Sequence, residues 1–238
     1  MKRLRNSVLL LAILGLALPV TAFGVQINEI RIDDAGADDD EYIELSGNPG
    51  ESLDGLYYII IGDGGANNAA CGNLEFILDL TSFSIQADGL LSIGQLNPPA
   101  PTLTYDTTTF LQLENSDNVT HMLVTGLTAV LDDDLDTNDD GTLDVTPWSG
   151  IVDEVGLDEG TVPNCATSGT TDEYLYTTTT VGPDGNFVPG HVFRCAFGWQ
   201  VGDFTVGVTD TPGEPNTPSC DAVSVTQDTW GNVKRLYH

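Results

Sequence analysis

The feature that most constrains this chain is its rhythm. Apolar segments of strand length follow one another, each closed by a turn rich in glycine, asparagine or proline, and almost nothing repeats with helical spacing. Residues 25–32 (VQINEIRI) largely alternate apolar and polar side chains, as a half-buried strand does, and 41–45 (EYIEL) mix apolar and charged residues the same way. Residues 56–61 (LYYIII) form an unbroken apolar run, which suits a strand buried on both faces. Further strands are expected at 76–80, 89–93, 109–113, 121–124 and 150–155, with a last one at 204–208. The joints carry turn chemistry: the acidic stretch 33–40, Gly47-Asn48-Pro49-Gly50, the glycine- and asparagine-rich 62–73, the proline-rich 97–102 and Asn115-Ser116-Asp117-Asn118. Many short strands without helices predict an all-β sandwich. Residues 165–192, rich in threonine and glycine, read as a long loop decorating it, and Thr211-Pro212-Gly213-Glu214-Pro215-Asn216 stops the fold.

One joint is denser in chemistry than the rest. Across 131–156 (LDDDLDTNDDGTLDVTPWSGIVDEVG) aspartates crowd a short loop ahead of an apolar strand. Asp136, Asn138 and Asp140 stand at alternate positions and Gly141 follows at once. Aligned to a calcium loop they take positions one, three, five and six; Thr142 offers a carbonyl at seven, Leu143 is the apolar eight and Asp144 is nine. Hard oxygen ligands on alternate residues of a curved backbone point at one centre, and the glycine permits the sharp turn. Pro147 stands where a twelfth-position glutamate belongs, so Asp132, Asp134, Glu154 or water must complete the shell. The expected ion is Ca2+, and the expected ligands are Asp134, Asp136, Asn138, Asp140, Thr142 and Asp144. The affinity should fall in the weak extracellular class, roughly 0.1–1 mM. A solvated acidic turn with no ion is the competing interpretation; the D-x-N-x-D-G-x-L-D spacing favours the metal.

The chain begins like an exported one. Lys2, Arg3 and Arg5 form a positive start, 7–18 is almost wholly apolar, and small residues allow cleavage after Ala22 or Gly24. Residues 1–24 therefore read as a secretory signal peptide, shorter than a membrane span requires, with an uncleaved anchor as the alternative. No other apolar run is long enough to cross a bilayer. This leaves a sandwich over 25–218 and a linker with a C-terminal tail over 219–238. In the tail, Trp230, Val233 and Tyr237 share the i, i+3, i+7 face of a short helix. The tail is expected to fray or dock on the sandwich; an attachment or sorting tag is the alternative. Processing moves the formal charge from −29 to −32 and leaves Arg31, Arg194, Lys234 and Arg235 as the basic residues. So acidic a surface repels phosphate backbones and argues against nucleic acid as a direct partner. Cys71, Cys165, Cys195 and Cys220, an even set in an exported chain, predict two disulfides. Three pairings are possible; Cys165 with Cys195 is preferred because it would pin the irregular 161–192 stretch. No C-x-x-C spacing and few nearby histidines argue against zinc.

Several short motifs follow in a telling order. They are Ile27-Asn28-Glu29-Ile30, Glu41-Tyr42-Ile43-Glu44-Leu45, Gly89-Leu90-Leu91-Ser92-Ile93, Leu113-Glu114-Asn115-Ser116-Asp117 and Ile151-Val152-Asp153-Glu154-Val155. Arg194, Trp199 and the Pro212-Gly213-Glu214-Pro215-Asn216 ending close the series. Together they resemble the lamin-tail domains of secreted bacterial proteins, over about 25–216. The resemblance implies an immunoglobulin-like β-sandwich. It also implies a binding or anchoring module, since bacterial members often sit beside extracellular nuclease or phosphatase domains. The acidic insertion and the Thr-rich loop lie outside the family pattern.

Catalytic patterns are scarce. His121, His191 and His238 are the three histidines, and G-x-S-x-G, H-E-x-x-H and P-loop motifs are absent from the sequence. Arg194 is the one good candidate to polarise a scissile bond. Asn28, Glu29 and Glu44 can form a polar cluster near strand ends. Hydrogen bonding across strands is its expected role, ahead of ligation or catalysis, because polar strand positions usually face out. Trp148 and Trp199 are expected as core or cap residues rather than sugar platforms. No catalytic or cofactor-binding residue is assigned. The expected function is a secreted, calcium-stabilised binding or structural module without chemistry of its own. Its partner would be an extracellular protein or glycan, met free or at the cell surface. The alternative is a small extracellular calcium-dependent hydrolase using carboxylates on a polysaccharide or phosphoester.

Overall fold

The computed structural model describes residues 24–62, 71–161, 165, 174–216 and 220. The expected signal peptide, Gly24 apart, and the expected tail beyond Cys220 fall outside them. Within them the chain forms β1 (Gln26–Arg31), β2 (Tyr42–Ser46), β3 (Leu56–Gly62), β4 (Asn73–Asp79), β5 (Leu90–Gln95) and β6 (Thr107–Thr109). β7 (Val119–Thr125), β8 (Gly150–Leu157), β9 (Thr180–Val181), β10 (His191–Cys195) and β11 (Gly198–Val201) follow. A six-stranded sheet, in the order β11-β10-β1-β2-β5-β6, faces a five-stranded sheet in the order β4-β3-β7-β8-β9. Pairing is antiparallel except for β5 with β6 and β8 with β9, which are parallel. The chain is the all-β sandwich its rhythm predicts.

Alternation decides the core. From the six-stranded sheet, Ile27, Ile30, Ile43, Leu45, Leu91, Ile93 and Val192 point inward. They meet Leu56, Tyr58, Ile60, Val119, Leu123, Val155 and Leu157 from the other sheet. Each fully buried large apolar side chain contributes about 1.5–3 kcal/mol. The unbroken run of β3 is buried on both faces, as expected. Ile59 and Ile61 turn away from the sandwich interior and join Leu74, Met122, Val124 and Leu135 in a second apolar cluster. Half-buried Leu127, Ala129, Leu143, Trp148 and Tyr176 roof that cluster. Segment 127–148 is thus a flap over the outer face of the five-stranded sheet. It also covers the β4 edge: Leu74 N–H donates to Asp133 O and Leu135 N–H to Gly72 O, both at 2.9 Å.

Four expectations are corrected. The strand expected at 109–113 stops at Thr109, where β6 leaves β5. Leu111 and Leu113 still point inward, at 3% and 5% exposure, while the chain crosses from one sheet to the other without a pairing partner. The strand expected at 204–208 is a turn, because the carbonyls of Asp203 and Phe204 accept from Arg31 rather than from a neighbouring strand. Residues 165–192 are not all loop: β9 lies within them and β10 begins at His191. The disulfides are Cys71–Cys165 and Cys195–Cys220, with Cα atoms 5.5 and 5.6 Å apart, in place of Cys165–Cys195. The reason is placement. Cys165 packs with Cys71 and Tyr174 beside the flap, whereas Cys195 ends β10 in the other sheet.

One polar pair sits inside the sandwich. Tyr58 Oη and His121 Nδ1 are 2.8 Å apart and both residues are 0% exposed. Burial pushes the His121 ring down to about 3, so it is neutral and accepts the Tyr58 hydroxyl. Burial, and then Asp153, raise the Tyr58 phenol well above its ordinary range, so it keeps its proton. As pH falls from about 6.5 toward 3 the unfolded chain takes up a proton that folded His121 refuses, and stability is lost across that window. A His121→Leu variant should therefore show a flatter melting temperature between those pH values. Tyr58→Phe should cost about 1–3 kcal/mol in urea unfolding at neutral pH, because it strands the buried Nδ1.

Candidate functional site

The outer face of the six-stranded sheet carries the polar half of the strand alternation. In an open sandwich these residues would meet water. Here Glu29, Arg31, Tyr42, Glu44 and Ser92 are 0% exposed and His191 is 1% exposed. A strap formed by residues 202–216 lies over most of them, and 102–106 covers the rest.

Arg31 is the centre of the strap. Its Nε donates to Asp210 Oδ1 at 2.6 Å and Nη2 to Asp210 Oδ2 at 2.8 Å, a bidentate pair. Nη1 donates to the carbonyls of Asp33 (2.9 Å) and Phe204 (3.2 Å), and Nη2 also to Asp203 O (2.9 Å). Every N–H a guanidinium offers is used. Glu29, two residues back and on the same face, does the same work from the acceptor side. Its Oε1 accepts from Tyr42 Oη, from His191 Nε2 at 2.8 Å and from Thr211 N at 2.9 Å; its Oε2 accepts from Thr211 Oγ1 at 2.7 Å. The other His191 ring nitrogen, Nδ1, lies 3.1 Å from Thr209 Oγ1. Gly202 allows this contact, for a Cβ there would stand 1.9 Å from His191 Nδ1.

Burial pushes the Asp210 carboxyl up, but the Arg31 bonds, His191 and the Gly207 N–H more than offset it, and its pKa lies below the ordinary value. Burial raises Tyr42 well above a normal phenol, and the charges of Glu29 and Asp210 add to that. Burial also pushes Glu44 up to about 8, against the pull of the Asn28 and Gly213 N–H groups.

The strap ends on a cluster around Asn28, Glu44, Arg194 and Asn216. Glu44 Oε1 accepts from Asn28 Nδ2 at 2.7 Å and Oε2 from Gly213 N at 2.6 Å. Asn216 Nδ2 donates to Asn28 O at 3.2 Å and Arg194 O at 3.0 Å. Arg194 donates to Asp153 Oδ2 at 2.5 Å, and its guanidinium stacks 4.7 Å from the Trp199 ring centroid. Asp153 sits on β8 and Arg194 on β10, so this pair ties one sheet to the other. Arg194 is thus a cross-sheet tie, paired and stacked.

Glu29 Oε1, His191 Nε2 and Asp210 Oδ1 lie within 4.8 Å of one another. In an open cleft such a set could bind a metal or exchange protons. Here each atom already has hydrogen-bond partners and all three side chains are 0% exposed. Among the described residues the other such group is Cys71, Asp139 and Cys165, whose two sulfurs are joined to each other.

The expected calcium ligands stand elsewhere, on the flap. Asp136 is 0% exposed and organises its loop. Its Oδ2 accepts from Gly141 N at 2.8 Å and Tyr176 Oη at 2.9 Å, and its Oδ1 from Asp140 N at 3.2 Å. Asn138 Oδ1 accepts from Asp140 N, Asp140 Oδ1 from Thr142 N, Asp134 Oδ1 from Asp136 N, and Asp144 Oδ2 from Thr137 Oγ1. Gly141 has φ +83°, the left-handed turn that position six of a calcium loop demands. Asp134, Asp136, Asp140 and Asp144 belong to neither close group of ligand atoms. Their oxygens accept from backbone amides and from the Thr137 and Tyr176 hydroxyls, and a cation would have to draw them together. Burial raises the pKa of Asp134, and the charges of Asp139, Asp136 and Asp144 add to it. Glu154, a candidate to complete the shell, accepts from Thr177 Oγ1 instead.

Sequence reasoning missed Tyr42, His191, Asp210 and Thr211 as site residues. Period-two alternation already put Glu29 and Arg31 on one face, and an arginine is rare enough in this acidic chain to mark that face. Nothing local marks Asp210. Comparison with protein-family models, curated proteins and solved structures finds no match for this chain. Asp210→Ala should leave Arg31 buried without its counter-charge. The expected loss is about 3–5 kcal/mol in urea unfolding, with protease cleavage inside 202–216 rising in step.

Proposed function

We propose that this chain is a secreted, non-catalytic binding or structural module of the lamin-tail type, an immunoglobulin-like β-sandwich stabilised by calcium. The observation that carries the reading is a convergence. Asn28 and Asn216, 188 positions apart, meet with Glu29, Glu44, Gly213 and Arg194 in one buried network. These are the residues by which the sequence resembles lamin-tail domains, and each serves to close the sandwich. Groups that could perform acid–base chemistry lie beneath the strap, bonded to one another, which supports an architectural role over a catalytic one. Two disulfides fit an oxidising compartment, in keeping with the signal-like start and export to the cell surface or medium.

Calcium has a structural task in this reading. The Asp136–Asp144 loop belongs to the flap, and the flap roofs the second apolar cluster through Leu135 and Leu143. Hard carboxylate oxygens, the Gly141 turn and the mutual repulsion around Asp134 suit a divalent cation. The ion would clamp the flap, leaving the remaining surface for an extracellular protein or glycan.

Calorimetric melting with calcium and with EDTA tests the metal. At ten to a hundred times Kd, calcium should add about 1.4–2.7 kcal/mol, and the gain should shrink in an Asp140→Asn, Asp144→Asn variant. Equal melting temperatures in both buffers would reject calcium. Turnover of any glycan, phosphodiester or ester in a substrate screen would reject the non-catalytic assignment.

A further inference from the structure

A cavity of about 690 Å3 opens beside the end of β1, well inside the size range of small-molecule sites. Its walls are of two kinds. Phe187, Phe204 and Val188 are apolar; Asp33, Asp184 and Glu159 are acidic, with Asn115 and Ser116 between them. No lysine or arginine is among these lining residues.

Phe187 is 72% exposed at a tight turn, held there by paired backbone bonds with Asp184 at 3.0 and 3.1 Å. Phe204, 42% exposed, is held by its own carbonyl, which accepts from Arg31 at 3.2 Å. Two aromatic side chains are therefore kept partly in water by backbone geometry, next to carboxylates. The N–H groups of Arg31 go to Asp210 and to backbone carbonyls, that of Asp33 among them, so its hydrogen bonds are directed elsewhere than to these carboxylates. Burial and then the neighbouring Asp38 carboxyl push Asp33 up to about 6.

Charge and shape together select a ligand class. An anion is repelled by these walls and by a chain of formal charge −29. A neutral apolar ligand would strip water from the carboxylates without replacing it. A cation on an apolar body satisfies both walls, since aromatic faces attract positive charge and alkyl groups cover the floor. We propose that this cavity binds a small organic cation, an alkylammonium whose positive head is shared between Phe187, Phe204 and the carboxylates of Asp33, Asp184 and Glu159. The proposal goes beyond the protein or glycan partner argued above by adding a small-molecule site, and the cavity includes none of the calcium-loop residues.

The test is titration calorimetry on the mature chain in saturating calcium, with choline and butylammonium as probes. Both should bind, and the uncharged carbon isostere of choline should bind at least about tenfold more weakly. Phe187→Ala and Asp184→Asn, at exposed turn positions, should each weaken choline about tenfold while leaving the melting temperature in place. Phe110→Ala, at a residue 68% exposed and outside the cavity lining, should change nothing. Silence with both amines overturns the proposal, as does equal affinity for the isostere or unaltered binding by the cavity variants. A lysine peptide that binds where neither amine does would also overturn it, assigning the cavity to a protein side chain. A calcium-dependent melting shift alongside any of these results leaves the module reading standing, so the two fail separately.

Discussion

A guanidinium with no exposed surface sits at the heart of this structure. Removing a charge from water costs several kcal/mol, and only a full set of partners offsets it. Arg31 has that set: the Asp210 carboxylate in a two-point grip and three backbone carbonyls. A buried ion pair is weak support for net stability, but it is demanding about geometry. The strap has few ways to satisfy Arg31 and Glu29 together. That is why a stretch of turns without a strand of its own follows one path across the sheet.

The same logic gives the molecule its layering. A two-sheet sandwich normally shows water two outer faces. Here an irregular segment covers most of each. Over the six-stranded sheet the cover is polar and specific, built on charge pairs and hydrogen bonds. Over the five-stranded sheet it is apolar, built on Leu135 with Leu127, Leu143 and Trp148 against Ile59, Ile61 and Met122. Each cover has its own disulfide. Cys195–Cys220 closes a span of 25 residues at the end of the strap, and Cys71–Cys165 closes 94 beside the flap. The second reaches the acidic loop directly, since Cys71 N–H donates to Asp139 Oδ1 at 3.0 Å. Entropy lost by the unfolded chain makes both bridges stabilising, the longer span more so.

The two arginines of the sandwich divide the labour. Arg31 fastens a strap to one sheet; Arg194, through Asp153 and Ile27 O, fastens that sheet to its neighbour. In a chain this acidic, positive charge is scarce, and both copies are used for internal closure. Among the described residues no other lysine or arginine is present to offset the acidic side chains at the surface.

Local chemistry determined the elements. Alternation at 25–32 and 41–45 and the apolar run at 56–61 are physical consequences of which side chains can be buried, and strands formed there with the apolar side chains on the core face. The polar face of 25–32 and 41–45, expected to meet water, is largely buried as well. Turn residues placed most of the joints. What tertiary structure alone decided were the long-range pairings. His191 meets Glu29 across 162 positions and Asp210 meets Arg31 across 179, and neither partner carries a nearby mark in sequence. The short strand 191–195, which begins where the threonine-rich stretch ends, is not expected from the sequence because its pairing with β1, not its own pattern, makes it a strand. The preferred cysteine pairing, Cys165 with Cys195, fails for the same reason. Sequence shows what each segment must bury, and only the assembled sheets show which distant segment arrives to cover it.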